Sequence, residues 1–174
     1  FKVKSGITSQ KFLKYSEKVL NLTKYKNTIM NLKSAFFNIN EYELRPISIG
    51  QGAFGTVYVA KNVKNNQEYA AKIINVNNIE NDFDGQNQMQ FLQESLILNK
   101  LDHPAIVQFI GINFKSFSNP QIFEPTIVTE YLPRGSLRDN LNDERRALSD
   151  YRWNATKKYI NLLGISDAMR YLHE

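Results

Sequence analysis

Cysteine is absent from all 174 residues. No disulfide framework, thiolate zinc site or cysteine nucleophile is therefore open to the chain. The absence fits a reducing compartment, and a cytoplasmic location is the expectation. No apolar run approaches the ~18–20 residues that a membrane-crossing helix needs. The chain begins at Phe1 without an initiator methionine or signal-peptide pattern and stops at His173-Glu174 inside a helical pattern, so a piece of a longer protein is expected. Internal repeats and low-complexity tracts are lacking too. A basic surplus is missing from most of the chain despite a net charge of +5. Residues 1–34 hold eight lysines against one acid (Glu17), whereas the remainder holds 14 basic and 16 acidic residues. The basicity belongs to the N-terminal segment. Nucleic acid is not an expected partner of the remainder.

What is present begins with that segment. Phe12, Tyr15, Val19, Leu22, Tyr25, Ile29, Leu32 and Phe36 fall at steps of three and four. The spacing predicts one apolar face of a helix within residues 8–37, with lysines elsewhere. Such a helix packs on a neighbouring domain or, alternatively, lies on an anionic membrane surface or a partner helix. Residues 1–38 are accordingly read as a basic helical extension.

From Glu41 the pattern shifts to short strands, expected at 43–50, 56–62, 68–75, 106–114 and 126–131. The polar, Asn-rich stretch Asn62–Gln67 reads as a hairpin turn. Helices are expected at about 86–101, ending before Pro104, and near 136–146 and 154–173. Antiparallel strands carrying one helix, followed by helices, indicate an α+β fold.

The chemistry centres on Gly50-Gln51-Gly52-Ala53-Phe54-Gly55-Thr56-Val57. Three glycines at this spacing let a backbone fold tightly over a bulky anion. Dinucleotide-binding folds use the same spacing, but there a helix follows the last glycine. Here Thr56-Val57-Tyr58-Val59-Ala60 follows, which is β-branched and aromatic and reads as a strand. The glycines therefore sit in a hairpin turn. The P-loop is excluded because no Lys-Ser/Thr pair follows Gly55. Downstream, Ala70, Lys72 and Ile74 share one face of a strand, and Tyr69, Ala71 and Ile73 the other. On the next helix, Phe91, Glu94, Ile97, Leu98 and Leu101 share an arc of roughly 120° at ~100° per residue. Glu94 is expected near the centre of that apolar stripe. A carboxylate there is costly unless a cation meets it, and Lys72 is the natural candidate.

These pieces resemble the N-terminal lobe of protein kinases. Gly50, Gly52, Gly55 and Val57 match the G-x-G-x-x-G-x-V loop, and Ala70-Ala71-Lys72 matches the end of the V-A-I-K strand. Phe91-Leu92-Gln93-Glu94, continuing through Leu101-Asp102-His103-Pro104-Ala105-Ile106-Val107, is similar to the family's C helix and its exit turn. Ile127-Val128-Thr129-Glu130-Tyr131-Leu132-Pro133-Arg134-Gly135-Ser136-Leu137 is similar to the last lobe strand, the hinge and the following helix. Ala168-Met169-Arg170-Tyr171-Leu172-His173 is similar to the helix end before the catalytic loop. The resemblance covers about residues 42–174 and has the flavour of the tyrosine-kinase-like branch, which mostly phosphorylates Ser/Thr.

It implies a five-stranded antiparallel sheet with one C helix at 39–132, then the hinge exit and first helices of a helical lobe at 133–174. It also implies ATP, Mg²⁺ and a protein substrate as partners. By position, the Gly50–Gly55 backbone would cover the phosphates, and Lys72 would hold the α/β-phosphates while pairing with Glu94, with Ile49, Ala53 and Phe54 counted among the cofactor-binding residues. Val57, Ala70 and Leu137 would sandwich the adenine. Glu130 would accept from the adenine amino group through its carbonyl, Leu132 would offer its N–H, and Ser136 completes the cofactor-binding set. Thr129 would control entry to a pocket behind the adenine. Phe54 stays open between a phosphate shield and a solvent-exposed turn aromatic. The catalytic aspartate and the metal ligands belong to H-R-D and D-F-G motifs, which occur nowhere in the sequence. The 174 residues alone are thus expected to bind nucleotide poorly and transfer no phosphate. The same residues also suit a pseudokinase, an interaction module with the fold but not the reaction. His103 is read as a turn-stabilising histidine, and Asp139, Asp143 and Asp150 as solvated acids.

Overall fold

A computed structural model describes residues 30–74, 85–146, 148 and 153–174. The lysine-rich stripe before residue 30 lies outside the described residues. The chain divides into two units, one holding the sheet and the second comprising residues 102–107 and 132–174.

The sheet unit contains β1 (Tyr42–Gly52), β2 (Gly55–Asn62), β3 (Glu68–Ile74), helix α1 (Gly85–Lys100), β4 (Phe109–Lys115) and β5 (Phe123–Glu130). The order is β1-β2-β3-β5-β4, with antiparallel pairing throughout. This is the α+β, protein-kinase-like arrangement expected. Ala53 and Phe54 alone separate β1 from β2, as a two-residue hairpin turn. The Asn62–Gln67 turn forms through side chains that imitate backbone. Asn62 Oδ1 accepts from the N–H groups of Lys64 and Asn65, and Asn66 adopts φ 59°, which asparagine tolerates.

Period-2 alternation gives the sheet two apolar faces. One carries Ile74, Ile112, Phe114 and Ile127 against Phe91 and Leu92 of α1. The other carries Ala60, Ala71 and Val128 with Phe37, Ile39 and Tyr42. Burial among those aromatics pushes the Tyr42 phenol above its ordinary value.

Three expectations need correction. The helix drawn to residue 37 ends early: Lys33–Ala35 is one 3₁₀ turn, and Phe36 forms a parallel bridge with Ile112. Steps of three and four continue to Phe36, but an open sheet edge competes for the same backbone. Leu32 and Phe36 are buried in the sheet unit's core, on the extension side of the boundary at residue 38. Next, residues 106–108 precede β4 in non-strand backbone, because the turn at Pro104 runs on to Ile106, whose N–H donates to His103. Finally, the buried face of α1 is Phe91, Leu92 and Ser95, while Ile97 is exposed and Glu94 half-buried. Ser95 fits there because its Oγ donates to the Phe91 carbonyl, 2.7 Å away. Glu94 thus flanks the stripe rather than centring it.

The second unit contains α2 (Leu137–Arg145) and α3 (Ala155–His173). Ser136 starts α2 through a capping box with Asp139, and Asn154 caps α3 by accepting from Lys157 N–H. Residues 102–107 are fastened to α3. Tyr171 Oη accepts from Asp102 N–H at 3.1 Å, and the His103 ring stacks on Tyr171 with centroids 5.0 Å apart. His103 Nδ1 accepts from Ala105 N–H, so its Nε2 carries the proton that reaches Asp167 at 3.1 Å. Arg170, and then His103, hold the Asp167 carboxyl below the usual carboxylate range. The histidine stabilises the turn, as its place beside Pro104 suggested.

Candidate functional site

Strand register collects part of the expected site on one face of the sheet. Val57 stands opposite Lys72, Val59 opposite Ala70, and Ala70 in turn opposite Thr129. Directly opposed residues project to the same side, so Val57, Ala70, Lys72 and Thr129 share that face. Gly55, two residues before Val57, joins them at the hairpin end and pairs with Ile74. The sheet bulges between Leu44 and Ser48 and again between Ser48 and Gly50, which lets β1 bend towards the turn.

The glycines differ in what they permit. A Cβ on Gly55 would meet the Ile73 carbonyl oxygen at 2.3 Å, inside the β3 backbone. On Gly50 and Gly52 it would find only ordinary contacts at 3.9 Å, with Val57 and the Gly55 carbonyl. Gly55 is therefore demanded by strand packing. Gly50 and Gly52 are not, and their bare backbone faces outward from an exposed hairpin. Phe54 at its tip is half-exposed, as is Ile49 at its base.

Lys72 Nζ donates to both carboxylate oxygens of Glu94, each 2.7 Å away. Both side chains remain about a third exposed (30% and 36%). The pair is therefore accessible rather than sealed in a core, and a lysine with three donors keeps capacity for a further anion. Lys72 from β3 and Glu94 from α1 meet although 22 residues separate them.

At the sheet's far end Glu130 is locked to Gln108, the residue just before β4. Its N–H donates to the Gln108 carbonyl, and its Oε1 accepts from Gln108 N–H at 2.8 Å. Thr129 Oγ1 donates to the Glu130 carbonyl at 3.3 Å, and Thr129 is half-buried. Leu132, Ser136 and Leu137 belong to the second unit. Leu132 and Leu137 are exposed there, and the Ser136 hydroxyl is engaged with Asp139 as the α2 cap. That engagement, together with the Ser136 N–H, holds the Asp139 carboxyl below its ordinary range. Among the described residues, no three His, Cys, Asp or Glu side chains cluster to hold a metal. No helix among them is long and apolar enough to cross a membrane.

The protein kinase domain family matches residues 45–174. This chain belongs to the protein kinase family. It is 31% identical over 126 residues to the cysteine-rich receptor-like protein kinase 45 of Arabidopsis thaliana, covering 72% of this chain and 31% of that protein. Over 163 residues it is 31% identical to the human serine/threonine-protein kinase TNNI3K, covering 90% of this chain and 17% of that one. A seven transmembrane domain-containing tyrosine-protein kinase 1 of Dictyostelium discoideum is 32% identical over 147 residues, covering 84% and 20%. The chain spans less than a third of the length of these relatives.

Proximity to β4 is what sequence reasoning missed. Leu32, Ala35 and Phe36 enter the same core as α1. A signal existed in Gly111, a glycine inside an apolar strand pattern, which marks a close backbone approach.

Proposed function

We propose that the chain is the nucleotide-holding part of a kinase that transfers the ATP γ-phosphate to protein Ser/Thr. In this reading, Lys72 presents its ammonium to the α/β-phosphates, oriented by Glu94. The Gly50–Gly55 backbone covers the phosphates, aided by Ile49, Ala53 and Phe54. Val57 and Ala70 contact the adenine, the Glu130 carbonyl bonds its edge, and Thr129 borders it. The observation that carries the proposal is the two-pronged Lys72–Glu94 contact, 2.7 Å to each oxygen, on the face that also bears Val57. The Glu94 carboxylate favours one orientation of the lysine, so its charge is largely positioned when the anion arrives.

Mg²⁺ accompanies ATP in this family, neutralising phosphate charge. Among the described residues no three His, Cys, Asp or Glu side chains gather to hold it. Acceptor preference follows the human relative, named a serine/threonine kinase, although the Dictyostelium relative is named a tyrosine kinase. The test is phosphate transfer by the complete protein to a mixed protein substrate, with the phosphorylated residue type identified. Transfer to Ser/Thr that Lys72→Met abolishes is expected. Equal transfer by Lys72→Met would overturn the proposal.

A further inference from the structure

Leu32, Ala35 and Phe36 precede the family-matched stretch, which begins at residue 45. Yet Leu32 is wholly buried, and all three share one core with Phe91 and Leu92 of α1. The Phe114 ring on β4 touches both sides of it, 5.4 Å from the Phe36 centroid and 5.6 Å from that of Phe91. Phe91 stands less than one helical turn before Glu94. The segment is also bolted to β4 by its backbone. Phe37 N–H donates to the Ile112 carbonyl at 3.4 Å, and the buried Asn113 Nδ2 donates to the Phe37 carbonyl at 2.7 Å. Gly111 makes room for it, because a Cβ there would lie 2.3 Å from the Ala35 carbonyl oxygen.

We infer that Leu32–Phe37 is a positioning strap that seats α1 and thereby sets the Lys72–Glu94 contact. Leu32 and Phe36 are its positioning residues, acting through Phe114 and Phe91. Removing a buried side chain leaves a cavity that its neighbours relax into. The neighbour here is the helix face next to Glu94. A helix shift of about 1 Å changes the length and direction of the two 2.7 Å contacts to that carboxylate. The role in nucleotide binding rests on the function proposed above, whereas the seating of α1 does not.

The experiment uses the complete protein with Phe36→Ala, Phe36→Leu, Glu94→Gln and the Phe36→Ala/Glu94→Gln pair. Two quantities are read: backbone hydrogen exchange along α1, and affinity for a non-hydrolysable ATP analogue with Mg²⁺. Phe36→Ala is expected to speed exchange in α1 while β1–β3 stay protected, and to weaken the analogue roughly 3- to 10-fold. Phe36→Leu should restore both. In the Glu94→Gln background the added loss of affinity should fall below about twofold, because the effect passes through that carboxylate. Should Phe36→Ala fail to fold, Gly111→Ala displaces the same strap and the same readings apply. Unchanged α1 exchange, or equal affinity losses in both backgrounds, would overturn the strap. Glu94→Gln binding the analogue normally would instead strike the nucleotide reading, with α1 exchange still deciding the strap.

Discussion

Lys72 and Glu94 are joined by two hydrogen bonds of 2.7 Å while each keeps about a third of its side chain in solvent. Exposure of that degree makes the contact a poor stabiliser, worth about 0–1 kcal/mol. Function and stability should therefore separate. Glu94→Gln and Lys72→Met are expected to lower phosphate transfer by about 10²–10³-fold in the complete protein. Melting should shift by no more than about 1 kcal/mol allows. Kinetics paired with calorimetry check this; a melting loss as large as that of a core truncation would contradict it.

The glycines offer a second separation. Gly55→Ala forces a methyl group into the Ile73 carbonyl and should cost about 1–3 kcal/mol, through the β2–β3 pairing. Gly50→Ala and Gly52→Ala meet contacts of 3.9 Å and should stay within about 0.5 kcal/mol. Their cost should fall on nucleotide affinity instead. Denaturant titration of the three variants, beside analogue binding, resolves the two classes.

Thr129 shares a face with Ala70 and Lys72, and its side chain is small. Inhibitors that reach past it into a pocket behind the adenine should lose affinity on Thr129→Met, by about tenfold or more, while those confined to the adenine edge change little. Unchanged affinity for both kinds would refute the assignment of Thr129.

Acid should loosen the start of α2 before it unfolds the sheet. Asp139 is held below its ordinary range by Ser136, so its carboxylate favours the folded cap. For a depressed carboxyl, this stabilisation is complete above the unfolded value of about 4 and is lost as pH falls through the lower folded value. Asp139→Asn should remove the acid dependence. Amide exchange at residues 137–140 between pH 3 and pH 6 measures it; an identical profile in the variant would contradict the assignment.

Much of this was legible in the sequence because it rests on local rules. A strand after Gly55 cannot open a helix, so the hairpin and the side on which Lys72 lies followed from alternation alone. The Asn-rich turn and the stop before Pro104 were equally local. Glu94 was found for a partly wrong reason. Periodicity placed it mid-stripe, but the buried arc turned towards Leu92 and Ser95, since Ser95 can satisfy its own hydroxyl within the helix. The fate of residues 32–37 was hidden because helical spacing and strand pairing compete for the same backbone. Only the sheet's unfilled edge decides between them.

That edge carries a practical consequence. β4 is terminal in the sheet, and Phe36 is what pairs with it. A shortened chain starting at residue 40 would leave the Ile112 carbonyl without the Phe37 N–H that now covers it. Neighbouring molecules could then add strand to strand, and precipitation during purification would be the symptom. Starting at residue 30 keeps the flank covered.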